Sequence, residues 1–354
     1  MGRSVPWRAR AVREHCKLID SAPERKAPGA ACGSLERRLR AGEFAITAEI
    51  TPALSADPQN LIERAAPLRG LADAVNITDG AGARAHLDVL SAAILLARTG
   101  LEPVLQLTCR DRNRIALQSL LIGAAALGLR NVLALRGDEP SAGDQPEAKA
   151  VFDLDTNSLL ATAARLRDRG ELPHGRAVGG SMAFFLGAAD SPIDPPADWR
   201  PTHLQRKLDA GAQFVQTQFC MDAAVVRRYL ARLLEHGITQ RAYVLIGLAP
   251  LASARSAHWI RDRLYGSIIP DTLIRRLEGA ADQRSEGQRI CLELMQELTD
   301  IPGVAGVHLM APFHDSAVPQ VIAEFRALGA AGKRIAGAAV APDNRDIAAA
   351  KEST

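Results

Sequence analysis

The sequence predicts a (β/α)8 barrel, and three observations predict it. Eight short apolar runs alternate with helical stretches over about 300 residues, within the usual size of that fold. Most of the runs lack the polar alternation of a half-exposed strand, so they read as parallel strands buried on both faces. Polar and charged residues gather just past the ends of the runs, where such barrels build their sites. The clearest case is Asn131–Asp144, where the run Val132-Leu133-Ala134-Leu135 stops abruptly at Arg136-Gly137-Asp138. A surface turn with a salt bridge is the bland alternative for that triplet alone. A doubly wound open sheet is the alternative fold. Against it, no GxGxxG follows the first strand, and Gly80-Ala81-Gly82 follows the second with the wrong spacing.

Taken in order, Ser34–Leu39 reads as a short helix with Ser34 in position to cap it. Phe44–Ile50 is the first strand, stopped by Pro52. Asp57–Leu68 is helical, with Leu61, Ile62, Ala65 and Leu68 on one face. Ala72–Thr78 is the second strand, and Leu87–Arg98 the next helix, ended by Gly100. Pro103–Thr108, Arg112–Leu127 and Asn131–Leu135 continue the cycle as strand, helix and strand. Thr156–Arg169 is a helix, the glycine-rich Ala177–Phe185 the fifth strand, and Pro201–Ala210 a helix closed by Gly211. Phe214–Phe219, Asp222–His236, Ala242–Leu248 and Ser253–Arg263 follow, then one or two helices over Thr272–Leu298. Val304–Met310 and Ala317–Leu328 complete the eighth unit. The barrel domain therefore spans 34–330. Residues 1–33, basic and without an apolar period, read as a disordered extension, and 331–354 as an Ala/Gly-rich tail.

Composition narrows the function. The 354 residues are 47% hydrophobic and 23% charged, enough for a large core. A net charge of +3 and 4% aromatics leave no basic footprint or stacking platform for nucleic acid. No apolar run reaches the ~18 residues of a membrane span. The N-terminal stretch has no apolar core of a secretory signal, and Glu14, Asp20 and Glu24 argue against an Arg-rich presequence. The five cysteines show no CxxC or zinc spacing, so no metal centre is expected. Cys109 and Cys220 read as small buried residues, and a reducing cytoplasm is the expected location.

The strand ends bring together Glu49, Thr78 with Asp79, Gln106 with Thr108, Arg136 with Asp138, Phe184 with Phe185, Gln218, Pro250 and His308. The set lacks a His-rich metal cluster and any Ser–His–Asp order with an elbow motif. Glu49 sits between Ala48 and Ile50, where partial desolvation should raise its pKa and suit it to donate a proton. A strand-end Glu paired with a neighbouring cation is the alternative. Gln218 is either a satisfied core amide or a ligand contact. Lys207 could be a helix-end cation favoured by the dipole, and His308 a core hydrogen-bonding residue.

With these residues together, the sequence resembles the methylenetetrahydrofolate reductase family. Four motifs carry the resemblance: Ala48-Glu49-Ile50-Thr51-Pro52, Leu107-Thr108-Cys109, Ala134-Leu135-Arg136-Gly137-Asp138, and Arg206-Lys207-Leu208-Asp209-Ala210-Gly211-Ala212 followed by Thr217-Gln218-Phe219. They fall in the family's order across about residues 44–315. The resemblance implies an FAD-containing barrel that reduces 5,10-methylenetetrahydrofolate to 5-methyltetrahydrofolate with NADH or NADPH, in one-carbon metabolism. It implies Glu49 as general acid, Asp138 beside flavin and folate, and Gln218 on folate. It implies that Thr78, Gln106, Thr108, Arg136, Gly137, Asp138, Arg206 and Lys207 hold FAD, with Phe152 and Asp153 along its adenosine part. A homo-oligomer is expected.

Three positions depart from the family pattern. Gln106 stands where a His usually precedes Leu-Thr-Cys. Met182–Ala188 lacks the usual Tyr-Pro-Glu followed by His, and the usual Arg near the last strand is not evident in His308-Leu309-Met310-Ala311-Pro312. These departures suggest a divergent branch, working beside methyltransferases or running oxidatively in one-carbon catabolism. They also motivate the alternative of a folate- or corrinoid-linked methyltransferase partner without redox activity. A pterin-dependent methyltransferase fits the Arg136–Asp138 strand end poorly.

Overall fold

The computed structural model describes residues 32–312 and 316–329. Of the expected terminal segments, 1–33 falls outside the described residues except for Cys32 and Gly33, and 331–354 falls outside entirely. Eight parallel strands close into a barrel in the order of the chain. They are β1 (Ala45–Ile50), β2 (Ala74–Ile77), β3 (Pro103–Thr108), β4 (Asn131–Leu135), β5 (Phe185–Asp190), β6 (Phe214–Phe219), β7 (Tyr243–Leu248) and β8 (Val304–Leu309). β1 pairs β8 through Thr47↔His308, which shuts the ring.

Helices wrap the outside: α1 (Ser34–Arg40), α2 (Pro58–Ala65), α3 (Val89–Arg98), α4 (Arg114–Ala126), α5 (Thr156–Arg169) and α6 (Thr202–Asp209). α7 (Ala223–Glu235), α8 (Ala254–Arg263), α9 (Asp271–Glu278), α10 (Gln283–Leu298) and α11 (Ala317–Ala327) follow. The stretch expected to hold one or two helices holds α9 and α10. Several helices start on a side chain that accepts a free N–H of the first turn: Asp57, Asp88, Asn113, Asp155, Asp222, Ser253 and Asp282. Each such cap contributes about 1 kcal/mol and fixes where the loop above the barrel ends.

α1 closes the bottom of the barrel. Leu35 and Leu39, four apart on one face, pack against Ala45, Val104, Leu133, Phe185, Phe214 and Leu245 from the strands. The Phe185 and Phe214 rings stack at 4.9 Å between centroids. Ser34 is not the cap of this helix; Gly33 occupies that position and no side chain there bonds back. Instead the Glu102 carboxylate, at the foot of β3, accepts the backbone N–H groups of Ser34 and Leu35. The anion sits against the positive end of the helix, where Ser34 was expected to act.

The fifth strand is also displaced. It runs Phe185–Asp190 rather than Ala177–Phe185, and it pairs Leu133↔Gly187 with β4 and Gly187↔Phe214 with β6. Its apolar start hides behind Met182-Ala183-Phe184, and its Gly-Ala-Ala interior carries little strand propensity. The reason for that interior is tertiary. A Cβ on Gly187 would lie 2.2 Å from the Phe214 ring, so the stacked pair at the barrel floor excludes any side chain there. Consequently Phe184 and Phe185 lie low in the barrel, and the top of the strand is Ala189-Asp190.

Candidate functional site

Strand alternation organises the interior in layers. Two residues above the apolar floor, Thr47 of β1, Asn76 of β2, Gln216 of β6 and His308 of β8 form a buried polar layer. Asn76 Nδ2 donates to Gln216 Oε1 at 2.6 Å, and Gln216 Nε2 donates back to Asn76 Oδ1 at 3.0 Å and to Thr47 Oγ1 at 2.9 Å. The Thr47 hydroxyl lies 3.0 Å from His308 Nδ1. Every member has a partner, as a buried amide must, since an orphaned one costs about 1–3 kcal/mol.

Above this layer opens a cavity of about 1190 Å³. It gathers Glu49, Thr78, Gln106, Arg136, Asp138, Lys207, Gln218 and His308 into one space. Eight positions singled out in the sequence therefore share a site, and Glu49 and Asp138 lie at the same end of the barrel. Glu49 Oε2 accepts a 2.6 Å hydrogen bond from Gln106 Nε2 and lies 3.6 Å from His308 Nε2. The Thr78 hydroxyl is buried and has no hydrogen-bond partner among the described residues. A buried, unsatisfied donor facing a cavity is a place for a ligand acceptor.

The turn after β4 needs its glycine. Gly137 has φ +88°, and a Cβ would crowd Arg110 and Thr108 at 3.1 Å. Arg136, on the rim, pairs with Glu139 at 2.8 Å and lies 4.1 Å over the Phe152 ring. Phe152 itself holds a left-handed backbone, φ +40°. Such strain in a non-glycine residue is held in place by its surroundings, here by the cation over its ring.

Five of the expected cofactor contacts do not line the cavity. Thr108 is spent on Asp79, which accepts both its N–H at 2.9 Å and its hydroxyl at 3.0 Å, and which also takes Arg112 at 2.6 Å. Asp153 is held by Arg114 in a two-pronged pair that drops its carboxyl to about 2. Gly137 shapes the turn, Phe152 supports Arg136, and Arg206 lies on the exposed side of α6. Cys109 and Cys220 are buried as expected; burial pushes their thiols up to about 11 and about 12, which disfavours the reactive thiolate.

Asp190 was not anticipated. It tops β5, lines the cavity, and accepts a hydrogen bond from the Tyr229 hydroxyl. Burial raises its carboxyl above the ordinary range, against the opposing pull of Tyr229, Lys207 and His203. Lys207 Nζ also donates to Ala189 O at 2.5 Å. Arg84, His86, His203 and Trp259 join the wall from loops and helices, where no strand-end rule points to them. Asn76, Thr47 and Gln216 were legible in principle, as lone polar residues inside apolar runs.

The model of a family described as methylenetetrahydrofolate reductase matches residues 34–326. A probable methylenetetrahydrofolate reductase (NADPH) of Caenorhabditis elegans is 27% identical over 65% of this chain and 33% of its own length. The 5,10-methylenetetrahydrofolate reductases of Salmonella typhimurium and Escherichia coli are 27% and 26% identical, over 57% and 59% of this chain. The matched part thus spans a third to just under two thirds of these relatives. Among solved structures, an uncharacterized Clostridium thermocellum protein described as binding two copies of 5-methyl-5,6,7,8-tetrahydrofolic acid aligns over 83% of this chain and 99% of its own, with TM-score 0.58 and 13% identity. EDTA monooxygenase of Chelativorans sp. BNC1 aligns over 84% and 96%, with TM-score 0.52 and 12% identity. Both are likenesses of fold.

Proposed function

The chain belongs to the methylenetetrahydrofolate reductase family, and from that premise we propose that it interconverts 5,10-methylenetetrahydrofolate and 5-methyltetrahydrofolate, with NAD(P)H as the hydride source and FAD as its resident cofactor. The observation that carries the reading is Glu49, held by Gln106 on the floor of a cavity that also contains Asp138, Thr78 and Gln218.

The donor set suits FAD. Arg84, Arg136 and Lys207 supply positive charge for a diphosphate, His203 a ring nitrogen, and the unpartnered Thr78 hydroxyl a donor deeper in. A volume of about 1190 Å³ exceeds the ~300–1,000 Å³ of ordinary single-ligand pockets, which fits a dinucleotide beside a second ring system. When bound, FAD would relay hydride between nicotinamide and folate.

The protein's own part is positioning and proton supply. Opening the folate imidazolidine ring to an iminium requires a proton at N10, and Glu49 is the donor. Gln218 offers its amide to the pterin. Asp138 would make negative charge costly on a flavin bound beside it, which would favour release of hydride to folate. Lys207 and Arg136 bind phosphate.

Anaerobic spectroscopy tests the reading. The purified chain should show a flavin spectrum, bleach with NADH or NADPH, and recover with methylenetetrahydrofolate. The competing reading, a folate- or corrinoid-linked methyltransferase partner, is favoured by Asp190, whose carboxylate beside Lys207 offsets charge that phosphates need. A colourless protein that binds 5-methyltetrahydrofolate and leaves NAD(P)H unoxidised would decide for that partner.

A further inference from the structure

The buried polar layer does more than fill space beneath the cavity. Gln216 Nε2 has two hydrogens, and both are committed, one to Asn76 Oδ1 and one to Thr47 Oγ1. Thr47 Oγ1 accepts from Gln216, so its own hydrogen is left to donate. Its candidate acceptors are His308 Nδ1 at 3.0 Å and the Val307 carbonyl at 3.4 Å. The nearer is the imidazole. Gln216 Nε2 also lies 3.4 Å from Nδ1, but its two hydrogens are already taken. With Nδ1 an acceptor, the ring is neutral and its hydrogen sits on Nε2. That nitrogen faces Glu49 Oε2 at 3.6 Å.

We propose that the chain Asn76–Gln216–Thr47 fixes His308 as its Nε2–H tautomer, making His308 a positioning residue for Glu49. Oε2 then faces two donors, Gln106 Nε2 at 2.6 Å and His308 Nε2. An oxygen facing two N–H groups is the unprotonated oxygen of the carboxylic acid. A proton that Glu49 delivers would therefore leave from Oε1, for which no hydrogen bond to the described residues is seen. At 3.6 Å the His308 contact is beyond hydrogen-bond distance, and under this proposal it has to close when substrate binds. After proton transfer both donors stabilise the carboxylate that remains. The inference deepens the assignment of Glu49 and rests on it for its kinetic consequence, but the tautomer is a property of the protein alone.

Two measurements test it, and their failures differ. In protein labelled with 15N in its imidazole rings, without any ligand, the His308 signals should report Nε2–H and an unprotonated Nδ1 at neutral pH; His308→Asn assigns them among the eight histidines. Thr47→Val, which removes the hydroxyl at nearly constant volume, should release this fixed state, and Thr47→Ser should restore it. A wild-type ring protonated at Nδ1, or signals unmoved in Thr47→Val, overturns the proposal. In the kinetic arm, Thr47→Val should slow flavin reoxidation by methylenetetrahydrofolate about 10–100-fold, as expected for one charge-assisted hydrogen bond, and change the pH profile of that step. Flavin reduction by NADH should not change. Equal losses in both steps would reduce Thr47 to a structural role. A wild-type chain that never turns over folate sinks the reductase reading while leaving the tautomer measurable.

Discussion

The two ends of this barrel are made by the same strands and obey opposite rules. β1 presents Ala45, Thr47 and Glu49 to the interior, β2 Ala74 and Asn76 with Thr78 just past its end, and β6 Phe214, Gln216 and Gln218. Within four residues each strand passes from apolar floor, through a closed amide layer, to a polar cavity. The floor gains from burial alone, at roughly 1.5–3 kcal/mol for each large side chain. The top holds Glu49, together with Asp190, whose charge burial disfavours, and an unpartnered Thr78 hydroxyl, neither of which helps the chain fold. The layer between them isolates one from the other, so changes at the floor should be read in stability and changes at the top in chemistry.

The largest separation is expected at Glu49. Glu49→Gln keeps the shape and the Gln106 contact but removes the proton. In stopped flow, flavin reduction by NADH should stay near normal, and reoxidation by methylenetetrahydrofolate should fall about 10²–10⁴-fold. Unfolding midpoints should not move. Equal slowing of both steps would place Glu49 among the structural residues.

At the other end, Leu39→Ala empties a site that is 1% exposed under the barrel. Urea unfolding should show a loss of about 2–5 kcal/mol, with ligand dissociation constants unchanged below the transition. A variant that loses ligand affinity and keeps its stability would mean that the two ends are coupled through the amide layer.

Lys207→Ala should weaken flavin retention by about 10–100-fold, the equivalent of roughly 1.5–3 kcal/mol for a charge-assisted contact to phosphate. Fluorescence titration of the apoprotein with FAD measures it. An unchanged dissociation constant would confine Lys207 to its bond with the Ala189 carbonyl.

What the sequence disclosed follows the same division. β3, β4, β6 and α5 begin and end where their patterns predict, because buried strands between glycine- and polar-rich loops are locally encoded. β5 was misplaced because its defining contact, Gly187 under the Phe214 ring, joins residues far apart in sequence. The same distance hid Glu102 as the cap of α1. At the top, the motif positions Glu49, Asp138 and Gln218 line the cavity, whereas Thr108 and Asp153, expected on the cofactor, bond to Asp79 and Arg114. Which side a polar group bonds to is a tertiary fact. Asp190 escaped for a compound reason: once β5 was set too early, its end residue fell in a loop.

Asp190 also gives the smallest effect and the finest test of the division. Its folded-state carboxyl is raised above its ordinary 3.8, first by burial, with Tyr229, Lys207 and His203 opposing. A raised pKa means that the native protein holds the proton more tightly than the unfolded chain. The sign follows from linkage. Stability from this group is greatest below the ordinary value, where both states are protonated, and declines as pH rises through that value toward the raised one. Above the window the buried charge remains a cost. Asp190→Asn removes the titration and can still accept the Tyr229 hydroxyl. Urea unfolding at several pH values should therefore show a flatter profile above pH 3.8, with equal or slightly greater stability near neutrality, by less than about 1 kcal/mol. Losing the carboxylate beside Lys207 should at the same time tighten FAD binding. Unchanged pH dependence with weaker flavin binding would show that Asp190 serves as a ligand contact, and that the top of β5 holds a functional carboxylate rather than a tolerated one.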